Sequence, residues 1–344
     1  MMNSTHKKGQ HFLLSAEART FSLIEIMRLS DDEAWEMFKS ARWENGEPVC
    51  PQCGGVEHYW ISTRKRWKCK HKECHHQFTV TSGTIFASHK MPLTTYLAAI
   101  ALYTNCVKGM SALQMSRDLD CQYKTAWVLM HKLRESMHDD EPVELDGEVE
   151  VDAAYFNGHV RPANRIENRV DRRLKKNQDP DKRAVYVARE RHNVDGEGSF
   201  KTAVGVAKSE NETSIKAFVA RHVDPDATIT ADEHHSYGVL HGHYKMERVN
   251  HSVEYVGENG ESTNQAESFF SRLRRMHLGQ NHKFSNVYLK RYAVECAYRE
   301  DHRRESNGWV FNDLIERCAR MRPSRDFCGY WQGNRKHGED LLPC

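Results

Sequence analysis

The pattern of apolar and polar positions changes rhythm along the chain. Residues 21–43 read as a short helical region, in which Ser30 stands as an N-cap and Glu33, three positions on, completes a capping box. Between 50 and 80 the pattern shifts to short β-rich runs bounded by cysteines, and "TVTSGTIF" (79–86) continues that β-branched character. Helical spacing returns after Pro92, and "GMSALQMSRDLDCQYKTAWVLMHKLRESM" (109–137) reads as two helices broken near Cys121 and Gln122. Beyond the acidic connector at 138–148, "EVEVDAAYF" (148–156), "AVYVAR" (184–189) and "SFKTAVGVA" (199–207) are three successive strands. A helix near 211–222, a strand at 227–232, a short helix, a strand near 243–250 and a helix through Glu267 follow. Two more helical segments fill 285–321, and the tail after Pro323 has little periodicity. A meander followed by strand–helix alternation predicts a mixed α/β fold, with helices on the faces of a mixed sheet.

Length and composition sharpen this picture. A chain of 344 residues is long for one domain, and 39% hydrophobic with 28% charged residues is the composition of a globular protein, not a disordered one. The net charge of +2 hides local imbalance: Arg161, Arg165, Arg169, Arg172, Arg173, Lys175, Lys176, Lys182 and Arg183 crowd residues 160–183 against four acids. The most apolar run, "YLAAIALY" (96–103), has less than half of the roughly 20 residues a membrane span needs. The start, "MMNSTHKKGQ", lacks the apolar core of a signal peptide, so a cytoplasmic location is expected and no membrane partner.

Four of the ten cysteines form two tight pairs, Cys50-x2-Cys53 and Cys69-x4-Cys74. Zn²⁺ favours tetrahedral thiolate ligation, and two knuckles separated by a short strand-rich stretch supply it. The glycines Gly54 and Gly55 suit the first tight turn, while His71 and His75 stand close enough to replace a ligand. A zinc held by Cys50, Cys53, Cys69 and Cys74 would be structural, because every coordination position is filled.

Within 109–137, Leu113, Met115, Leu119, Ala126, Trp127, Met130 and Leu133 supply apolar positions, with Lys124, His131, Lys132 and Arg134 among the others. A second helix with basic exposed residues is what reading a DNA major groove requires, whereas two core-packed helices give the same pattern without DNA contact.

Acidic residues then attract notice at element ends. Asp152 lies on the strand face opposite Val149, Val151 and Ala153; Asp232 ends another strand, opposite Ile229 and Ala231; Glu267 sits on the helix that follows. Each alone is an ordinary turn or cap residue. Three separated carboxylates that converge in a fold can hold two Mg²⁺ ions, leaving positions for water and phosphate oxygens. On a helix, Asn264, Glu267 and Arg274 share one stripe.

With "CPQCGG", "FTVTSGTIF" before "MPLTTYLAAIALY", "EVDAAYFNG", "ITADEHHSY", and "STNQAESFFSRLRR" before "LKRYAVECAYREDHRR" in that order, the chain from about residue 22 to 320 resembles the ISXO-type insertion-sequence transposases. These carry an N-terminal zinc ribbon and an RNase H-like DDE catalytic domain. The resemblance implies Asp152, Asp232 and Glu267 as a triad holding two Mg²⁺ or Mn²⁺ ions, with Glu267 35 positions after Asp232. It leaves Asn264 as an alternative third ligand or as a residue that orients Glu267. Arg274 stands where the family often has lysine, as a grip on a DNA phosphate. The row Arg272, Arg274, Arg275, Lys283, Lys290 and Arg291, together with the basic loop, would hold further phosphates.

The expected organisation is an N-terminal helical segment (1–45), a zinc ribbon (46–90), a helix-turn-helix region (91–140), an RNase H-like catalytic domain (146–304) and a C-terminal helix and tail (305–344). The implied function is transposition: binding of terminal inverted repeats, strand cleavage, and attack of the freed 3′-hydroxyl on target DNA. The partners would be double-stranded transposon ends and target DNA, with the protein acting as a nucleoid-associated homo-oligomer. Two other readings fit the residues: a metal-dependent nuclease of the same fold that stops at hydrolysis, and a DNA-binding regulator derived from a transposase.

Overall fold

The computed structural model describes residues 12–138, 142–171, 174–192, 198–249 and 263–343. The opening "MMNSTHKKGQ", Arg172 and Arg173 of the basic loop, and the side chain of Lys175 lie outside the described residues. In chain order the elements begin with α1 (Leu23–Met27), α2 (Asp31–Arg42), β1 (His58–Ile61), β2 (Arg66–Cys69), β3 (Gln77–Phe78), α3 (Leu93–Asn105), α4 (Ala112–Asp118) and α5 (Tyr123–Ser136). Next come β4 (Glu148–Phe156), β5 (Arg183–Arg191), β6 (Ser199–Ala207), α6 (Glu212–His222), β7 (Thr228–Asp232) and β8 (Lys245–Val249). The chain closes with α7 (Asn264–Arg275), α8 (Leu289–Asp301) and α9 (Asn307–Arg320). Two compact units result: residues 1–137 with 303–336, and residues 138–302 with 337–344. Among the described residues no helix is long and apolar enough to cross a membrane.

In the first unit, Ser30 and Glu33 form the capping box that starts α2, each side chain bonded to the other's backbone N–H. The strands β1, β2 and β3 make a small antiparallel sheet. Trp67 and Phe78 stack face to face there, and Trp35 and Trp43 of the neighbouring helical segment pack on Trp67. The expected β character of 79–86 does not materialise; the segment is a series of turns. The cause is Arg42, whose guanidinium takes the carbonyls of Thr79 (3.1 Å), Val80 (2.8 Å) and Ser82 (2.5 Å), the groups a strand partner would need. The side chains of Thr79 and Ser82 also bond within the turn, competing locally with a ladder.

The pair α4 and α5 is a helix-turn-helix, turning through Leu119–Gln122 with Asp120 in the left-handed region at φ +46°. Met115, Ala126, Met130 and Leu133 are buried as the apolar pattern requires. The basic face is a correction: His131 and Arg134 are buried and Lys132 is half-buried. Phe327 stacks on His131 and packs on Trp127, and Tyr103 lies under the Arg134 guanidinium. Segments distant in sequence therefore cover the face that helical periodicity alone leaves to solvent. The tail is likewise less idle than its sequence: Phe327 is buried, and Ser324 donates to Glu135 (2.6 Å).

The second unit is built on one five-stranded sheet in the order β6-β5-β4-β7-β8. Strands β4, β5 and β6 run antiparallel, while β7 and β8 lie parallel to β4 and to each other. This is the RNase H-like mixed sheet. Both faces are covered, so strands such as "AVYVA" are apolar without alternation. Val149, Val151, Tyr186 and Ile229 face one core with Phe218 of α6; Ala154, Phe156, Val185 and Val187 face another with Phe269, Phe270 and Leu273 of α7. The last residues return to this unit, where the Leu342 N–H donates to the Val206 carbonyl (2.7 Å) on edge strand β6.

Candidate active site and metal centre

The cysteine knuckles converge as their spacing suggests. All four thiol sulfurs of Cys50, Cys53, Cys69 and Cys74 lie within 4.8 Å of one another. The Cys50–Cys74 and Cys53–Cys69 Sγ separations are 3.8 and 3.6 Å. A tetrahedron of Zn–S bonds of about 2.3 Å spaces its sulfurs by about 3.8 Å, so the site is already of zinc dimensions. Gly54, at φ +73°, lets its N–H return to the Cys50 carbonyl (2.9 Å). In the second knuckle His75 takes φ +48° and the Cys74 N–H meets the His71 carbonyl. The two histidines thus shape the turn and are outside the sulfur group.

The acidic site is assembled by the sheet. Parallel pairing of β4 with β7 sets Val151 opposite Ala231, the last pair, and Asp152 and Asp232 follow it. Asp232 ends β7, whereas Asp152, expected at a strand end, lies in the middle of β4, which runs on to Phe156 beside β5. The carboxyl edge of parallel strands is where α/β folds place ligands. By strand alternation Asp152 shares the face of Ala154 and Phe156, which is the face α7 covers. Glu267, in the first turn of α7, is exposed there and close enough for its charge to act on Asp152. Burial, then the charges of Asp232, Glu210 and Glu267, push the Asp152 carboxyl up to about 7. Asn264 is the first residue of α7 and is also exposed. Arg274 is exposed near the other end, its guanidinium over the Phe270 ring.

Among the described residues, the cysteine thiols are the one group of three or more such ligand atoms lying within 4.8 Å of each other; Asp152, Asp232 and Glu267 are not drawn that close together. Their donor set is all oxygen and anionic, which suits a hard divalent cation and not a soft one.

Several residues at this site escape a reading of the sequence. Glu150, two positions before Asp152, is fully buried; its Oε2 accepts the N–H groups of Gln265 (2.7 Å) and Ala266 (3.1 Å), and its Oε1 accepts Arg191 Nε (2.8 Å). Burial raises its carboxyl despite these donors. Glu150 therefore clamps the first turn of the helix that presents Asn264 and Glu267. From the other side, Arg189 Nη1 donates to the Gln265 carbonyl (2.9 Å). At the far end, α7 runs into a π-helical turn, Met276–Gln280, a feature frequent near functional sites. There His277 Nε2 lies 3.2 Å from Oδ1 of Asn157, whose Nδ2 donates to the Phe284 carbonyl (2.9 Å). The following Gly158 is required, because a Cβ there would strike the Lys182 backbone. A signal for Glu150 existed in the alternation of "EVEVD", which puts an acid on the covered face.

Parts of the basic row are already engaged. Arg272 pairs with Glu300, Lys283 lies 3.9 Å from Asp181, and Arg183 makes a two-pronged bridge to Glu339 (2.6 and 2.7 Å). Lys182 lies over the Tyr155 ring, with Nζ 3.9 Å from its centroid.

An RNase H-like domain with acids at its carboxyl edge, beside a zinc ribbon and a helix-turn-helix in the same chain, defines a nucleic-acid-processing enzyme with DNA as its indicated partner. Comparison with known families agrees: residues 144–301 match the ISXO2-like transposase domain and residues 29–77 the transposase zinc-ribbon domain, together more than half of the chain. The chain belongs to the ISXO2-like insertion-sequence transposases, and its cysteine cluster is the structural zinc site of the ribbon. No curated protein matches it.

Proposed function

We propose that the protein cleaves DNA at the ends of its insertion sequence and joins the freed 3′-hydroxyl to target DNA, using Asp152, Asp232 and Glu267 to hold two Mg²⁺ or Mn²⁺ ions. The observation that carries this reading is the register of β4 and β7, which sets Asp152 beside Asp232 on the sheet face covered by the helix of Glu267. When bound, such ions lower the pKa of an attacking hydroxyl and stabilise the leaving oxygen. The protein's own residues do the positioning. Glu150 and Arg189 fix the first turn of α7, so that Glu267 faces Asp152 without having to be ordered at the moment of reaction. Arg274 offers a planar cation to a DNA phosphate, and the loop 160–183 adds further positive charge. In each step an oxygen attacks phosphorus as the bridging 3′-oxygen departs: water in cleavage, the 3′-hydroxyl in joining.

The division of labour we infer gives end recognition to the ribbon and the helix-turn-helix. The exposed start of α5, Gln122–Thr125 with Lys124, and Arg117 of α4 are the groups available to a groove, in keeping with the N-terminal residues of a recognition helix reading bases. Assembly as a homo-oligomer belongs to the same reading, since two ends must meet one target.

The test compares two substitutions on a labelled DNA carrying the element's end. Glu267→Gln keeps shape and removes charge, so it should abolish cleavage and strand transfer while end binding persists. Asn264→Ala should leave cleavage within about 10-fold to 100-fold of wild type, the usual loss when a ligand's support is removed. An active Glu267→Gln beside a dead Asn264→Ala makes the asparagine the ligand. Cleavage without strand transfer in the wild type makes the protein a nuclease, and end binding without cleavage makes it a regulator.

A further inference from the structure

The turn that leads from β6 into α6 delivers a fourth acid, Glu210, to the same edge of the sheet. Its N–H donates to the Tyr155 hydroxyl (3.1 Å), three residues beyond Asp152 on β4. Its Oε1 lies 3.2 Å from Nδ1 of His234, whose own N–H donates to Asp232 Oδ1 (3.0 Å). Glu210 is thus tied to both segments that carry the paired aspartates.

A second observation lies beneath it. Tyr237 is fully buried, and its hydroxyl is turned to the Glu210 side chain without closing a full hydrogen bond. The charges that act on that hydroxyl are Glu210, Asp152 and Asp232, in that order. A buried hydroxyl whose bond to one of three neighbouring carboxylates is left incomplete marks a site with room for a further group. Among the described residues His234 reaches Glu210, and no lysine or arginine forms an ion pair with Glu210, Asp152 or Asp232. Arg248 directs Nη1 to the carbonyl oxygens of Asp232 (2.6 Å) and His234 (3.1 Å), not to a carboxylate.

Building on the two-cation reading above, we propose that Glu210 is a fourth ligand of the divalent-cation site. Asp152 and Glu267 would serve one ion, and Asp232 and Glu210 the other. Two carboxylates per ion is what Mg²⁺ accepts while keeping positions for water and phosphate, and four carboxylates balance two divalent charges. Glu210 is held at this edge by its contacts with Tyr155 and His234, the latter bonded through its backbone N–H to Asp232. If Glu210 served merely as an acid ahead of α6, its charge would be irrelevant to cation binding.

The experiment is a Mn²⁺ titration of the full-length, zinc-loaded protein without DNA, with free Mn²⁺ read by electron paramagnetic resonance. Manganese is the weakest competitor among the first-row divalent ions and does not displace zinc from thiolates. Glu210→Gln should weaken Mn²⁺ binding at least about 10-fold, with zinc content and melting midpoint unchanged; Glu210→Ala is the second variant should the first fold poorly. Asp152→Asn is run in parallel. Weakening in both supports both readings. Wild-type affinity in the Glu210 variants with loss in Asp152→Asn overturns the fourth ligand alone, and wild-type affinity in all of them overturns the two-cation site as well. Loss in the Glu210 variants alone keeps the Glu210 site and removes Asp152 from it.

Discussion

The zinc site of the ribbon and the acidic edge, which we propose as a site for divalent cations, are organised in opposite ways. In the ribbon, all four sulfur atoms already lie within 4.8 Å of one another, two pairs of them at 3.6 and 3.8 Å, fixed by turns whose backbone bonds close around them. At the acidic edge the carboxylates stay farther apart, and one of them, Asp152, is pushed up to about 7 by burial and by its neighbours' charges. A site whose ligands are drawn together by the fold contributes to folding; carboxylates that repel one another would, on the proposed reading, gain their balancing charge from bound cations. Zinc can bind before DNA arrives without hindering it, because no coordination position is left over.

The largest effect that tests this contrast is removal of the zinc. Replacing Cys53 by Ser should abolish tight zinc binding and unfold β1–β3, since metal affinity is folding energy in so small a module. Hydrogen exchange should then show lost protection in 58–78 and wild-type protection in β4–β6. Intact protection of the ribbon without zinc would erase the contrast.

Glu150→Ala should come next. It strips a buried partner from two α7 N–H groups and from Arg191, which should destabilise the protein by about 3 kcal/mol in denaturant unfolding. A loss below about 1 kcal/mol would mean that the start of α7 is held by packing alone.

The smallest effect sharpens the comparison with an internal control. Asp301 is also pushed up to about 7 by burial, but it accepts the N–H (2.9 Å) and hydroxyl (2.6 Å) of Thr202 and has Arg189 nearby. Its carboxyl is satisfied by donors, so Asp301→Asn should leave Mn²⁺ affinity unchanged. The sign of its pH effect follows from linkage. Between about 4 and 7 the folded protein holds a proton on Asp301 that the unfolded chain has released, so this group's contribution to stability is present at low pH and is lost as pH rises through that window. The asparagine variant lacks this decline, and its stability should fall less steeply from pH 5 to 7 by up to about one proton's worth. A parallel pair of curves would show that Asp301 stays charged throughout.

What could be read without the structure was local. The capping box of α2 rests on residues three apart, and the cysteine knuckles on spacings of two and four. The aspartates at 152 and 232 stood out because each interrupts an apolar strand, Asp232 at its end and Asp152 in its middle. The same method erred where a face was covered from afar. His131 and Arg134 fall among the polar positions of α5, yet α5 is packed under Phe327 and Tyr103. "TVTSGTIF" has the composition of a strand, and a single arginine 37 to 40 positions earlier turns it into loops by taking its carbonyls.

The sequence by itself determined most of the elements, the zinc ligands and the family, because helical and strand periods and ligand spacings are set by neighbours along the chain. Tertiary structure alone decided which charges act together. Glu150 and Glu210 are ordinary acids in a linear reading; strand register and the docking of α7 bury one against helix N–H groups and bring the other to Asp152 and Asp232. Electrostatic and hydrogen-bond energies depend on distance in space, and residues 58 or 115 apart in sequence acquire that distance only when the sheet closes.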